Sequence, residues 1–415
     1  MDNLGPAGAI AIEKGYKPSR WTILFVVWAA FLFSYIVRVA WSTVAAPVGG
    51  SLGISVAMLG AFVTAFYVGY VVANVTGGII TDTIGGRLTL TLALIPLGIA
   101  TFCFGFTRTL SMGIAIQVIM GLAAGADYSA GVKIISAWFD HDRGRALGIY
   151  TTATSLAVVI ANATIPWASI SFGWENAFRG LGVLTLCWSV VTLFALRDNP
   201  TGVRHVSVNR HELVALLKSR NLVLLAVAGC CALWATVGFG AWGNALMTRH
   251  HGISPVTAGS ILALFGVGAV IAKPLLGMIS DAFNENRKFV AIGCLFALSG
   301  LLYLFGQCST VTQFYVISPF LGAAAFGYLP VLMAQVTKAS GARLAGAAAG
   351  LTNAIWQSGS AASPLVVGQV YASTHSFSLS LLALAVGPLL AGVILLFVTR
   401  GSREIGARDT PMVDS

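Results

Sequence analysis

The stretch Gly77-Gly78-Ile79-Ile80-Thr81-Asp82-Thr83-Ile84-Gly85-Gly86-Arg87 decides how this chain is read. An apolar run over residues 56–80 precedes or overlaps it, and another over 88–107 follows. Two runs long enough to cross a bilayer, joined by a few residues that include paired glycines, describe a helical hairpin with a tight turn at Gly85 and Gly86. Gly78 is placed to let helices pack closely. Asp82 and Arg87 are placed to pair or to cap neighbouring helix ends.

The same apolar pattern continues on both sides. Runs are read at 21–46, 56–80, 88–107, 111–138, 146–171, 174–196, 221–247, 256–280, 288–306, 311–337, 344–371 and 377–399. A transmembrane helix needs about 20 apolar residues, so twelve use about 240 and leave roughly 175 for loops and tails. Composition agrees: of 415 residues, 57% are hydrophobic and 9% charged, against about 25% charged in soluble domains. Mean hydropathy is +0.85. A soluble enzyme, a disordered chain and a fibrous chain are excluded. The 47 glycines suit closely packed membrane helices. The run from Trp21 is too long for the core of a cleavable signal and has no clear cleavage site.

The formal net charge of +10 would suggest nucleic acid in a soluble protein, but here it follows the loops. With both termini on the cytoplasmic side, eighteen of the 24 Lys and Arg fall inside, and Arg108, Arg179 and Arg249 outside. Arg38, Lys133 and Lys273 lie within spans. That bias predicts an N-in, C-in protein of a cytoplasmic (inner) membrane. The lipid bilayer is then its setting, and no nucleic-acid partner is expected. The six cysteines lie in or beside apolar runs without C-x-x-C or Cys/His clusters, so neither disulfides nor a metal site is expected. No G-x-x-x-x-G-K-[ST] is present, so ATP is not expected to drive the protein and no cofactor is implied.

The chain also repeats. Gly78-x-x-x-Asp82 ends the second run and Gly277-x-x-x-Asp281 the eighth, an offset of 199. Arg145-x-x-Gly148 opens the fifth run with Pro166 twenty-one residues past the Arg. Arg343-x-x-Gly346 opens the eleventh with Pro364 at the same distance, an offset of 198. Two pairs at nearly one offset predict a duplicated six-helix unit, with a substrate site near mid-membrane between the halves. The expected organisation is a tail at 1–20, a six-helix bundle at 21–196, a linker at 197–220, a second bundle at 221–399 and a tail at 400–415.

The quoted stretch closely resembles the loop 2–3 signature G-x-x-x-D-x-x-G-x-R of the Major Facilitator Superfamily. With the twelve runs, the repeat and the central linker, the resemblance covers essentially the whole chain. It implies an all-α membrane protein of two pseudo-symmetric six-helix bundles, and alternating access by rocking of one against the other. It implies a cavity lined by spans 1, 4, 7 and 10 with parts of 2, 5, 8 and 11. In the family the signature residues gate the conformational change and do not touch substrate. Here these are Gly78, Asp82, Gly85 and Arg87, with Asp281 in the weaker second copy.

Ionisable residues inside spans are costly and are functional candidates. Arg38 lies 17 residues past Trp21, about 25 Å of helix rise, too deep for easy snorkelling. Tyr35, Trp41 and Ser42 share its face. Its guanidinium suits two-point binding of a carboxylate or phosphate. Tyr35-Ile36-Val37-Arg38 resembles the Y-x-x-R of anion:cation symporters and organophosphate:phosphate antiporters. Arg197-Asp198-Asn199-Pro200 and Ala348-Ala349-Gly350-Leu351-Thr352 are similar to the organophosphate branch, yet that branch's second Arg, in span seven, has no counterpart here. The symporters' Asp before the Arg is Val37 here, and their Glu early in span four is a small residue near Ala124.

Lys273-Pro274-x-x-Gly277-x-x-x-Asp281 resembles the R-P-x-x-G-x-x-x-D of oxalate:formate antiporters and monocarboxylate porters, with Lys for the carboxylate-binding Arg. Lys273 either contacts substrate as a second positive charge or snorkels to the cytoplasmic side. Asp127 lies eleven residues, about 16 Å, inside span four. It either carries a coupling proton or balances Arg38. Lys133 is near enough to the membrane edge to snorkel. Tyr67, Tyr70, Tyr128, Trp242, Asn244, Asn353, Trp356 and Gln357 are uncharged lining candidates, each equally readable as packing.

These features predict a monomeric secondary active transporter of a small organic anion, foremost a carboxylate, by proton symport or anion exchange. A sugar-phosphate or organophosphate antiporter is the first alternative. A cation exporter is disfavoured by Arg38. A non-transporting membrane sensor is the alternative of another class.

Overall fold

A computed structural model describes residues 19–139, 143–197, 210–282 and 287–399. Within the helices, the side chains of Asp82 and Asp281 lie outside the described set, as do those of Arg143, Arg287 and Arg343. The described residues form thirteen helices and no strand. They are α1 (Arg20–Leu52), α2 (Val56–Ile84), α3 (Gly86–Phe104), α4 (Leu110–Ala124), α5 (Asp127–Trp138), α6 (Arg143–Phe172) and α7 (Trp174–Ala195), then a short α8 (Arg210–Lys218). After these come α9 (Arg220–His251), α10 (Pro255–Ala282), α11 (Arg287–Gly306), α12 (Val311–Thr374) and α13 (Phe377–Leu396). Among the described residues, ten helical stretches are long and apolar enough to cross a membrane.

Local chemistry sets the helix ends. Ser19 caps α1 by accepting the Thr22 N–H, Thr109 caps α4 through Met112, and a Thr310/Gln313 capping box opens α12. In the quoted stretch, Gly85 takes φ +87° between α2 and α3, the conformation its tight turn required. Gly173 does the same between α6 and α7. The expected close approach falls on Gly77 instead of Gly78. A Cβ on Gly77 would strike the Ala126 backbone, whereas one on Gly78 meets nothing within 4 Å. Adjacent helical residues point about 100° apart, so only one can face the neighbour.

Two expected runs differ in form. The fourth is interrupted at Gly125–Ala126, which divides it into α4 and α5. The tenth and eleventh are one helical run, α12, of 64 residues. A straight helix of that length would extend about 96 Å. Instead its ends meet: Phe314 near its start and Phe377 just beyond its finish have ring centroids 5.8 Å apart, and both lie against His251. The run therefore folds back on itself.

The same helix crossings occur twice. In the first half α1 packs on α6, α2 on α4 and α3 on α7; in the second α9 and α10 pack on α12 and α11 on α13. The closest crossings coincide in detail. A Cβ on Gly69 would strike the Val118 carbonyl, and one on Gly268 the Pro319 carbonyl. A Cβ on Gly121 would strike the Phe66 carbonyl, and one on Gly322 the Phe265 carbonyl. The paired positions are 199 or 201 residues apart. Contacts between the halves run through α2–α12, α6–α10 and α1–α9.

Candidate functional site

Two ends of the molecule frame the site. The linker end carries the start of α1, the end of α7 and the start of α9; the far end carries Gly53, Gly173, Gly252 and His375. A cavity lies between the halves. The first half lines it with Tyr35, Arg38, Trp41, Ser42, Tyr67, Val158 and Asn162. The second contributes Thr236, Val237, Gly240, Leu262, Phe265 and Phe326.

Arg38 is the cation of this cavity. Its guanidinium carbon lies 4.1 Å from the Tyr70 ring centroid, 4.8 Å from that of Tyr35 and 5.6 Å from that of Phe66. Aromatic faces stabilise a cation without consuming its hydrogen-bond donors. Nε and Nη2, which share one edge of the guanidinium, are buried and have no hydrogen-bond partner. That edge is the one that grips a carboxylate at two points. Nearby, Trp41 stacks on Phe62 at 4.3 Å.

Asp127 is buried beside this group, with 1% exposure. Its Oδ2 accepts the Ser34 hydroxyl, one helical turn before Arg38, and its Oδ1 has no partner. The interruption of the fourth run places Asp127 in the first turn of α5. The partial positive charge of a helix N-terminus favours a carboxylate there. Sequence periodicity carried no sign of that interruption. Phe31 and Tyr150 stack at 4.7 Å with Tyr128 beside both, and the Tyr150 hydroxyl donates to the Asp127 carbonyl at 3.4 Å.

Lys273 stands apart from the cavity lining. Its amine crosses from α10 to α6, donating to Thr154 Oγ1 at 2.7 Å and to the Thr151 carbonyl at 3.4 Å, with the Phe326 ring centroid at 5.1 Å. Asn353 donates to Asn74 Oδ1 at 3.4 Å across α12 and α2. Both contacts lie on the linker side of the cavity. On the far side the approach is backbone-close: a Cβ on Gly60 would strike the Pro364 carbonyl, and one on Gly259 the Asn162 carbonyl. The Thr64 hydroxyl donates to the Ala361 carbonyl at 2.7 Å.

Trp41 lines the cavity, but the indole N–H groups of Trp242 and Trp356 are engaged elsewhere. Trp242 Nε1 donates to the Pro364 carbonyl at 2.8 Å and Trp356 Nε1 to the Leu225 carbonyl at 3.1 Å. Gln357 keeps a buried, unpartnered Oε1 outside the cavity lining. Asn244 donates to the Pro255 carbonyl at 3.2 Å. In the quoted stretch, Arg87 Nε donates to the Leu193 carbonyl at 3.0 Å, tying α3 to the end of α7. Lys133 donates to the Thr81 carbonyl at 2.7 Å, at the end of α2. Basic side chains interact favourably with the carbonyls at a helix C-terminus. Sequence reasoning missed Ser34, Asn74, Thr154 and Asn162, because an uncharged polar residue in an apolar run gives no signal of its partner.

Comparison with known proteins agrees with this architecture. The family model for the Major Facilitator Superfamily matches residues 24–364 and 225–413. The probable galactarate/D-glucarate transporter of Bacillus subtilis (strain 168) is 24% identical over 89% of this chain and 90% of its own length. The membrane sensor protein UhpC of Escherichia coli (strain K12) is 24% identical over 82% of this chain and 83% of its own. The hexuronate transporter of B. subtilis is 21% identical over 71% of this chain and 74% of its own. A solved bacterial homologue of the human lysosomal transporter Spinster, inward-facing and unoccupied, superposes with a TM-score of 0.78 at 14% identity, covering 92% of this chain and 98% of that one.

Proposed function

Given that this chain belongs to the Major Facilitator Superfamily, we propose that it is a secondary active transporter of a small organic anion, with Arg38 holding a substrate carboxylate. The observation that carries this reading is the buried Nε/Nη2 edge of Arg38, without a partner, in a cavity between the two halves. Buried donors are normally satisfied, and a charged one left unmet is costly. A carboxylate supplies two acceptors and a neutralising charge in one group. The names of the galactarate/D-glucarate and hexuronate transporters point to the same substrate class.

In this reading twelve spans form two six-helix bundles, at 21–196 and 221–399, in an inner membrane with both termini and the linker cytoplasmic. The linker side of the cavity then faces the cytoplasm. Lys273–Thr154 and Asn74–Asn353 are the contacts that part when it opens inward, and the Gly60 and Gly259 crossings part when it opens outward. Asp127 balances Arg38 and carries the coupling proton. Lys273 serves closure in place of the direct substrate contact expected from the sequence, because its amine is held by Thr154.

The test is counterflow in proteoliposomes loaded with galactarate, glucuronate or glycerol phosphate, with and without an imposed pH gradient. Carboxylate counterflow is the expected result, and net uptake driven by inward protons identifies symport. Movement of glycerol phosphate alone would overturn the carboxylate reading. The likeness to membrane sensor protein UhpC supplies one rival: saturable binding of these acids with no flux would make this chain a sensor.

A further inference from the structure

We infer that Asn162 makes the cavity selective for hydroxylated acids, its amide oxygen accepting a hydroxyl hydrogen from the molecule whose carboxylate Arg38 holds. This rests on the anion reading above and adds to it a second, chemically different point of recognition.

Asn162 lies on α6 and lines the cavity at 3% exposure. Its Nδ2 donates to the Val158 carbonyl at 2.9 Å, one turn back. Only the amide nitrogen can donate to a carbonyl, so this bond sets which way the amide is turned. Oδ1 is left as a pure acceptor, buried and without a partner. Two hydroxyls of the lining are engaged with other groups. The Ser42 hydroxyl donates to the Val39 carbonyl at 2.7 Å. The Thr236 hydroxyl lies 3.0 Å from the Ala325 carbonyl and 3.1 Å from the Tyr328 hydroxyl. A buried acceptor without a donor is costly.

Packing does not explain the amide. The crossing at Gly259 uses the Asn162 carbonyl, and the equivalent crossing at Gly60 uses the carbonyl of Pro364. The two crossings are 199 residues apart at the glycine and 202 at the carbonyl. Both crossings use a backbone carbonyl, which any residue supplies, so neither calls for an amide side chain.

The ligand chemistry follows. A carboxylate at neutral pH has no hydrogen to give to Oδ1. An ammonium has, but Arg38 in the same cavity repels it. A hydroxyl donates without charge. The cavity thus presents a two-donor edge for a carboxylate and a single acceptor for a hydroxyl, both contributed by the first half.

The test is equilibrium binding to the full-length protein in detergent, with galactarate and adipate as probes. These are six-carbon dicarboxylates with and without hydroxyls. The wild type is expected to bind galactarate at least about tenfold more tightly than adipate, since a site built around a hydroxyl penalises its loss. In Asn162→Leu and Asn162→Ala the preference should fall to within about twofold, through weaker galactarate binding. An unchanged preference in both variants would overturn the role of Asn162 and leave the anion reading standing. Loss of both ligands in both variants would also overturn it, by making Asn162 structural. Binding of neither acid by the wild type would sink this inference and the anion reading together.

Discussion

Lys273 and Asn74 stand 199 positions apart and make equivalent contacts across the two halves. Lys273 bonds Thr154 at 2.7 Å and Asn74 bonds Asn353 at 3.4 Å, and those partners are again 199 positions apart. One two-fold relation thus generates both polar contacts on the linker side of the cavity. The duplication conserved the geometry of the contact but changed its chemistry, with a charged amine in one copy and an amide in the other.

Lys273→Met and Thr154→Val should therefore loosen the linker side while leaving substrate affinity within about threefold. Labelling of Val158→Cys by a membrane-impermeant thiol reagent from the linker side, with the six native cysteines replaced, should speed up in both variants. A tenfold loss of carboxylate affinity in Lys273→Met, with labelling unchanged, would return Lys273 to the binding site.

Arg38→Gln should abolish anion transport and leave folded yield near normal, because the buried Nε/Nη2 edge makes no hydrogen bond within the protein that the substitution would break. Removing a buried charged contact costs about 2–5 kcal/mol, roughly 30-fold or more in affinity. Arg38→Lys should fail nearly as badly, since a point charge does not reproduce the two-donor edge. Uptake in proteoliposomes alongside size-exclusion profiles checks both.

Asp127→Asn preserves an acceptor for the Ser34 hydroxyl but removes the charge. Exchange of carboxylate for carboxylate should survive, and net uptake driven by an inward proton gradient should be lost. Unaltered proton-driven uptake in the variant would remove Asp127 from coupling. Failure of both modes with a normal elution profile would show that its charge is needed to bind the anion.

Gly121→Ala should lower thermal stability by several degrees, because the added Cβ meets the Phe66 backbone, which cannot yield as a side chain tip would. Gly322→Ala should behave alike against Phe265. Gly78→Ala, with open space around its Cβ, should be neutral or gain up to about 1 kcal/mol from helix propensity. Detergent-solubilised melting curves of the three variants test the difference.

Much of this protein was legible in one dimension. Long apolar runs with few charges force a helical membrane protein, because lipid offers backbone groups no partners. The recurrence near 199 residues announced the paired crossings. Arg38 declared itself because a guanidinium deep in an apolar run demands a reason. What the sequence could not show is which polar groups are already spent. Lys273 and Arg38 look alike as isolated cations, but Thr154, 119 residues away, holds one, while the other keeps a free edge. The break that makes Asp127 the start of a helix arises where Gly77 and Gly125 press α2 against α4 and α5, and Asn162 acquires meaning only from what fails to face it. Periodicity tells which side of a helix a residue occupies. Whether its hydrogen bonds are satisfied depends on residues far away in the chain, and only tertiary packing brings those to it.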